Sequence, residues 1–240
     1  ITLNYVDMGQ GVPIVFIHGF PLDHSTWLPT AKLMVNEAYC ILPDMRGLGN
    51  SPVTGTETTI LQMAKDVIHL LDALEIPKAV FVGHSMGGYV ALHLARYFED
   101  RTSGLGLVAT RSHADDPQKA EARLQSREVV LREGMSTLVA EMAGRITDNA
   151  DILPGLRELM AKTNPKGTAM VQFAMANRPD ATKWLRKIKV PAAVLAGERD
   201  QIIPPNELKD IAHALPNGRF FSSKEGTHML PMDDPAFVAR

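Results

Sequence analysis

Apolar residues recur along this chain in two patterns, short continuous runs and longer stretches in which they return every three or four positions. The short runs predict buried β-strands, and the helical spacing predicts amphipathic helices. The predicted strands are residues 3–6, 12–17, 39–42, 79–82, 105–109, 190–196 and 219–222. One predicted helix starts near residue 25, a second starts at residue 58 or 59, and the last starts at residue 235. The other predicted helices are residues 86–98, 118–132, 135–144, 153–163, 168–177 and 206–215.

The order of these elements predicts the fold class. After the first two strands, helices and strands alternate up to residue 110, and they alternate again from residue 188. Such alternation is typical of an α/β protein whose mostly parallel sheet is flanked by helices. Residues 111–187 break the pattern with four successive helices and no strand. We therefore predict an inserted helical cap on a core formed by residues 1–110 and 188–240.

Composition and charge narrow the classes of partner. Lys and Arg number 25 and Asp and Glu number 27, a formal net charge of −2. No basic field therefore exists to attract nucleic acid or an anionic membrane surface. No apolar run approaches the roughly 20 residues of a membrane span, and no secretion signal is recognisable. We therefore expect a cytoplasmic protein that acts on a small molecule.

The sequence offers no pattern for a metal or a cofactor. No group of His and Cys residues has the spacing of a zinc site, and no glycine-rich loop carries the lysine of a phosphate-binding site. The single cysteine, Cys40, lies in an apolar run, so a buried thiol is expected and no disulfide within the chain is available. We therefore expect ordinary side chains to carry the chemistry.

The stretch Gly83-His84-Ser85-Met86-Gly87 stands between a predicted strand and a predicted helix. A serine lifted clear of a strand end needs a strained turn, and the two glycines remove the β-carbons that would collide there. The helix start places the Met86 N–H and the positive end of the helix dipole beside Ser85. An ordinary glycine-rich turn is the alternative. The strand before it and the helix after it favour Ser85 as a nucleophile and Met86 as an oxyanion donor.

Two further polar residues, Asp200 and His228, follow later strands of the predicted sheet. The carboxyl ends of parallel strands meet at one edge, where ligands bind in open α/β sheets. Ser, Asp and His in this chain order suit a nucleophile, an orienting acid and a general base, because a serine hydroxyl needs a base to take its proton. Glu198, in the same loop as Asp200, stays open as an alternative acid. For His228 the alternative is a surface-loop histidine.

The stretch His18-Gly19-Phe20 ends the second predicted strand. A glycine there lets the backbone turn tightly enough to aim the Phe20 N–H at a substrate on Ser85, which would complete an oxyanion hole. A simple turn is the alternative. Asp44 and Arg46, in a glycine-rich loop, are expected to form a local ion pair without a chemical role.

Together these motifs resemble those of the α/β-hydrolase superfamily over the whole length of the chain. The resemblance rests on His18-Gly19-Phe20, on Asp44-Met45-Arg46-Gly47-Leu48-Gly49-Asn50-Ser51, on the stretch around Ser85, on Gly197-Glu198-Arg199-Asp200 and on Gly226-Thr227-His228. Within the superfamily the chain is similar to small carboxylesterases and enol-lactonases, which carry a helical cap of this extent. The resemblance implies an α/β-hydrolase fold and an acyl-enzyme on Ser85 that is hydrolysed by water activated by His228.

The implied function is a serine hydrolase of small carboxylic esters or lactones that uses no cofactor. Three alternatives stay open: 3-oxoadipate enol-lactonase activity specifically, cofactor-free haloperoxidase or perhydrolase activity with the same three residues, and a receptor that binds a ligand without turnover. Dehalogenases and epoxide hydrolases fit less well, because their nucleophile at this turn is typically aspartate.

Arg111 is the first candidate for binding a substrate carboxylate, because it follows a strand end where the chain enters the predicted cap. Its alternative role is an exposed ion pair with Asp115 or Asp116. Trp27 and Met229 are further expected substrate contacts.

The predicted cap offers weaker candidates for the carboxylate. Arg145 and Arg178 lie deeper within the cap and are therefore less favoured. The cap also contains five of the twelve methionines, which suits an adaptable apolar roof over the site. They are Met135, Met142, Met160, Met170 and Met175.

Overall fold

The computed structural model describes all residues, 1–240, and contains one sheet of seven strands. The strands are β1 (Tyr5–Gly9), β2 (Val12–Ile17), β3 (Ala38–Pro43), β4 (Ala79–His84), β5 (Thr102–Val108), β6 (Ala192–Gly197) and β7 (Gly218–Ser223). Their order across the sheet is β1-β3-β2-β4-β5-β6-β7. β1 runs antiparallel to β3, and every other neighbouring pair is parallel. The prediction of a mostly parallel sheet flanked by helices is confirmed.

Ten α-helices connect or cover the strands. They are α1 (Leu28–Met34), α2 (Ile60–Ala73), α3 (Met86–Tyr97), α4 (Pro117–Glu133), α5 (Ser136–Ile146), α6 (Leu153–Lys162), α7 (Pro165–Ala176), α8 (Pro205–Ala214), α9 (Leu230–Asp233) and α10 (Pro235–Ala239). Short 3₁₀ helices cover His24–Trp27, Glu99–Arg101 and Thr182–Lys187. None of the helices combines the length and the apolar character that a membrane span requires.

The sheet has a hydrophobic core on each face, because successive residues of a strand point to opposite sides. In β2, Val15 and Ile17 belong to the larger core cluster, which α2, α3 and α8 cover. Phe16 belongs to the smaller cluster, which includes residues of α1 and is packed against by α10. Cys40 lies fully buried in that smaller cluster, and burial raises the pKa of its thiol. Its predicted burial is confirmed.

Helices α4 to α7 follow one another between β5 and β6, where the sequence predicted four successive helices. Val130 is the one fully buried residue of α4. α7 packs along α4 and contributes Met170, Val171 and Met175 to the larger core cluster. It starts three residues before the predicted residue 168, because Asn164 caps it and Pro165 suits its first position. The cap boundaries, residues 111–187, stay a prediction.

The expected ion pair between Asp44 and Arg46 is wrong. The buried Asp44 carboxylate accepts hydrogen bonds from Asn4 Nδ2 and from the His24 N–H, both at 2.8 Å. Arg46 Nη2 donates to Asp66 of α2 at 2.6 Å. Both residues therefore fix the loop after β3 through partners that are distant in the chain, which local spacing could not reveal.

Candidate active site

Ser85 occupies a strained turn between β4 and α3. Its φ of 51° and ψ of −113° lie where residues other than glycine are rarely found. A β-carbon on Gly83 would lie 2.2 Å from the Gly87 carbonyl oxygen, and a β-carbon on Gly87 would lie 2.1 Å from the Ile17 carbonyl oxygen. Only glycine fits at both positions. The turn is held from the neighbouring strand, because the Ser85 N–H donates to the Val108 carbonyl oxygen at 2.9 Å.

His228 joins Ser85 to Asp200. Its Nε2 lies 2.9 Å from Ser85 Oγ, and its Nδ1 lies 2.8 Å from Asp200 Oδ2. Because a carboxylate oxygen only accepts hydrogen bonds, Nδ1 carries the ring proton and the bare Nε2 faces the serine hydroxyl. His228 and Asp200 are both buried. This geometry suits transfer of the serine proton to His228 Nε2.

Asp200 is oriented by main-chain groups of its own loop. Its Oδ1 accepts the Ile202 N–H at 2.7 Å and the Ile203 N–H at 2.9 Å, which leaves Oδ2 for His228. Glu198, the alternative acid, is exposed and accepts a hydrogen bond from Ser222 Oγ at 2.9 Å. Within this loop the structure therefore places Asp200, not Glu198, against the histidine.

The loop that carries His228 is bound on two sides. His84, the residue before Ser85, donates from Nε2 to the His228 carbonyl oxygen at 2.7 Å. On the other side Asp233 accepts the Thr227 N–H at 3.0 Å. The same carboxylate accepts Asn149 Nδ2 at 3.1 Å, from the segment between α5 and α6. The loop is thus tied both to the end of β4 and to the predicted cap.

His18 holds the loop that leads to Phe20. Its Nδ1 donates to the Gly19 carbonyl oxygen at 2.8 Å, and its Nε2 accepts the Met45 N–H at 2.9 Å. Burial lowers the pKa of His18, which favours the neutral ring that these two bonds require. A β-carbon on Gly19 would lie 3.4 Å from Ser85 Cβ, so this loop contacts the serine.

Two main-chain N–H groups beside Ser85 are candidates for an oxyanion hole. The Phe20 N–H makes no hydrogen bond within the protein. Met86 is the first residue of α3, so its N–H has no acceptor within the helix. An anion at this position would also meet the positive end of the α3 dipole.

A cavity of about 240 Å³ opens at Ser85 and His228. Its apolar walls are Phe20, Leu138, Met142, Met175, Ile202 and Ile203. Its polar lining comprises Tyr89, Arg111, Arg123, Glu141 and Arg145. A wider groove of about 1180 Å³ lies at the amino ends of β4 to β7, and none of the predicted site residues lines it.

One grouping of side chains has the donor set of a metal site, Asp23, His24 and Asp44. His24 Nδ1 lies 2.7 Å from Asp44 Oδ1, and Asp23 Oδ1 accepts the Ser25 N–H at 2.9 Å. All three side chains take part in hydrogen bonds of their loops, and none of them lines the cavity.

Residues 14–240 match the model of the alpha/beta hydrolase family, and this match spans nearly the whole chain. The chain belongs to the alpha/beta hydrolase family.

Within this family the chain is similar to proteins of several named activities. It is 30% identical to 3-oxoadipate enol-lactonase 2 of Acinetobacter baylyi, over 84% of this chain and 77% of that protein. It is 28% identical to a non-heme chloroperoxidase of Kitasatospora aureofaciens, over 99% of this chain and 93% of that protein. A malate-bound thermophilic esterase from Thermogutta terrifontis superimposes with a TM-score of 0.96 at 35% identity, over 99% of this chain and 90% of the esterase.

In this α/β-hydrolase Arg111 lines the cavity, as the sequence suggested it would. Its Nη2 donates to the Ile202 carbonyl oxygen at 2.9 Å, and its Nε lies 3.5 Å from Glu207 Oε2. The expected alternative partners, Asp115 and Asp116, do not pair with it. Glu207 of α8 is the acid that faces Arg111 instead.

The two weaker arginine candidates differ in position. Arg145 lines the cavity. Arg178 is buried outside it, with its guanidinium carbon 4.2 Å from the centre of the Tyr89 ring. Its Nη2 donates to Asp115 at 2.9 Å. Arg178 therefore supports the wall of the cavity without facing a substrate.

Trp27 and Met229 are wrong as substrate contacts. Trp27 is fully buried in the smaller core cluster, its ring centre 5.0 Å from that of Phe16. Met229 is fully buried in a cluster with Leu22 and Ile146. Neither side chain lines the cavity, because both are buried in core clusters.

Several cavity residues were not predicted. Tyr89 lies four positions after Ser85, one helical turn along α3, and that spacing could have indicated it. Arg123, Leu138 and Glu141 come from α4 and α5, whose orientation over the sheet no local pattern specifies.

The predicted apolar roof of methionines is reduced to two residues. Met142 and Met175 line the cavity. The other three cap methionines, Met135, Met160 and Met170, are buried in the core clusters.

Proposed function

We propose that this family member is a serine hydrolase that cleaves small carboxylic esters or lactones through an acyl-enzyme on Ser85. The observation that carries the proposal is the continuous contact from Ser85 Oγ through His228 to Asp200, which opens directly into the cavity. The names of the similar proteins, a lactonase and an esterase among them, support the same chemistry.

In this mechanism His228 Nε2 takes the proton of Ser85 as Oγ attacks the substrate carbonyl carbon. The oxygen of that carbonyl gains negative charge, which the N–H groups of Phe20 and Met86 stabilise. His228 then gives the proton to the leaving alkoxide, and a water molecule activated by the same nitrogen hydrolyses the acyl-enzyme. Asp200 keeps the ring in the required tautomer and stabilises the imidazolium.

The size of the cavity restricts the substrate. Its volume, about 240 Å³, is below the ~300–1,000 Å³ of sites for drug-sized ligands. Short acyl and alcohol groups, or a single lactone ring, fit such a space.

The charge of the lining favours a substrate that carries a carboxylate. Arg111, Arg123 and Arg145 line the cavity, and Glu141 is the only acid among the lining residues. Of these arginines, Arg123 is already paired with Asp115. The Nη1 group of Arg111 makes no hydrogen bond within the protein and can bind an anion. The similar enol-lactonase and the malate-bound esterase are consistent with an acidic ligand. A carboxylate-bearing lactone is therefore the favoured substrate class.

The hydrolase proposal is tested with a chromogenic short-chain ester. Wild type should release many product molecules per protein, which a ligand receptor would not. Ser85→Ala should lose several powers of ten in turnover while its circular dichroism spectrum is unchanged, because the three residues act as a unit. Near-full turnover by the folded alanine variant would refute the proposal.

The carboxylate proposal is tested by comparing kcat/KM for a carboxylate-bearing enol-lactone and a neutral short-chain ester. Arg111→Ala should lower kcat/KM roughly ten- to hundredfold for the acidic lactone only, because a desolvated charged hydrogen bond contributes about that much to binding. Arg132→Ala is the matched control, since Arg132 lies on the surface paired with Glu133. Equal loss on both substrates, or none on either, would remove Arg111 from the substrate site.

A second candidate activity is perhydrolysis, which the similarity to a non-heme chloroperoxidase favours. Hydrogen peroxide would replace water as the acceptor of the acyl group, and the product would be a peracid. Measuring peracid formation from acetate or an acetate ester with peroxide tests it. Absence of peracid from wild type, with ester hydrolysis intact, would leave hydrolysis as the sole activity.

A further inference from the structure

His84 is a buried histidine next to the candidate nucleophile with only one of its two ring nitrogens bonded. It is 1% exposed, and its Nε2 lies 2.7 Å from the His228 carbonyl oxygen. A carbonyl oxygen only accepts, so Nε2 carries the proton and Nδ1 is a bare acceptor. Nδ1 is buried and has no hydrogen-bond partner. A buried polar atom without a partner is costly, so its retention calls for an explanation.

The ring of His84 contacts two parts of the candidate site and one residue of the core. Its centre lies 5.2 Å from the centre of the His228 ring. A β-carbon on Gly19 would lie 2.7 Å from its Nδ1, so the loop that leads to Phe20 packs directly on the ring. The Trp27 ring also packs against the His84 ring, with ring centres 6.4 Å apart and nearly perpendicular planes. In the chain, His84 is followed directly by Ser85.

We propose that His84 is a positioning residue that fixes the main chain of His228 relative to Ser85 through the hydrogen bond from Nε2. The inference rests on the proposed function, since it concerns the base of the same reaction. Ser85 and His228 lie on loops 143 positions apart in the chain, and the contact from His84 ties the second loop to the strand that ends at the first. A misplacement of a catalytic group by about 1 Å can lower the rate roughly 10²-fold, so a hydrogen bond that fixes His228 at this point supports the rate.

The charge state of His84 suits this role. Burial, followed by the nearby His228, lowers the pKa of His84 to about 3. The titratable groups that face it are His228, Asp200 and His18. A neutral ring keeps Nε2 a donor and Nδ1 bare across the working pH range. It also places no second positive charge beside the imidazolium that forms on His228 during the reaction.

The inference is tested with His84→Gln and His84→Met, two side chains of closely similar length and shape. The glutamine amide reaches the position of Nε2 and donates, whereas methionine fills the space without donating. We expect His84→Met to lose ten- to hundredfold in kcat for a chromogenic short-chain ester, with KM unchanged within threefold. His84→Gln should keep kcat within threefold of wild type.

His84→Asn provides a second variant in case the methionine variant folds poorly. Its amide reaches only as far as Nδ1, so it should show the loss in kcat without an apolar substitution. Melting by circular dichroism shows which variants are folded. Wild-type kcat in a folded His84→Met or His84→Asn, or an equal loss in His84→Gln, would overturn the inference. Failure of the proposed function itself would be recognised separately, by near-full turnover in Ser85→Ala and His228→Ala.

Discussion

Replacing Asp200 by asparagine separates its two roles, because its two oxygens have different neighbours. Oδ1 accepts two main-chain N–H groups, of Ile202 and Ile203 at 2.7 and 2.9 Å, and Oδ2 faces His228 Nδ1 at 2.8 Å. In Asp200→Asn the amide oxygen must take the Oδ1 position, since an NH₂ group there would face two donors. The NH₂ group then faces His228.

This arrangement changes the tautomer of the base. An NH₂ group only donates, so His228 Nδ1 must become the acceptor and the ring proton moves to Nε2, towards Ser85. A protonated Nε2 cannot take the serine proton. The expected loss in kcat is about 10⁴-fold, as for the corresponding change in other triads. At 1.36 kcal/mol for each factor of ten, this is about 5.4 kcal/mol of activation free energy.

The measurement is steady-state hydrolysis of a chromogenic short-chain ester, with thermal melting as a control for folding. The melting temperature should change little, because both main-chain hydrogen bonds to Oδ1 persist. Glu198→Gln is the matched control, and since Glu198 is exposed and accepts only from Ser222, its rate should match wild type. A mild loss in Asp200→Asn together with a severe loss in Glu198→Gln would contradict the reasoning and assign the acid to Glu198.

Two further predictions concern pH. The value of kcat/KM should be higher at neutral than at acidic pH, because His228 accepts the Ser85 proton only when it is neutral; a rate that falls from acidic to neutral pH would exclude His228 as the base. The side chain of Asp115 is buried, which alone would raise the pKa of its carboxyl, but hydrogen bonds from Arg178 and Arg123 lower that pKa to about 2. A lowered pKa stabilises the fold above the unfolded value of about 4, so on the order of 2 kcal/mol should be lost as pH falls from about 4 to 2. Denaturant titrations across that pH range should show this loss of unfolding free energy in wild type and not in Asp115→Asn. An equal dependence of the unfolding free energy on pH in the two proteins would refute the prediction.

The sequence predicted well those features of the fold that depend on a backbone position only glycine can fill, or on the periodicity of apolar residues. Gly83 and Gly87 indicated a close approach of strand and helix, and in the structure each would clash with backbone if it carried a β-carbon. The alternation of strands and helices predicted the sheet and the helical insertion. The order of residues at strand ends suggested Ser85, Asp200 and His228, and the structure brings these three side chains together, while their catalytic roles stay predictions.

The sequence did not predict features that depend on the direction of a side chain or on a pairing between residues distant in the chain. Trp27 lies on the apolar side of the first predicted helix, yet the sheet lies between two cores and the Trp27 ring belongs to the smaller one. Arg46 pairs with Asp66 of α2, which no local spacing distinguishes from Asp44. The cavity lining from α4 and α5 depends on how those helices lie over the sheet, and residue periodicity gives only which of their faces are apolar.

The central claim, an acyl-enzyme on Ser85, is tested most directly by trapping it. Wild type mixed with an activated short-chain ester, quenched in acid within milliseconds and digested, should yield one acylated peptide that contains Ser85. Asp200→Asn or His228→Ala should show slower formation of the same adduct, and Ser85→Ala should show none. An acyl group on another residue, or turnover by Ser85→Ala without any adduct, would contradict the account.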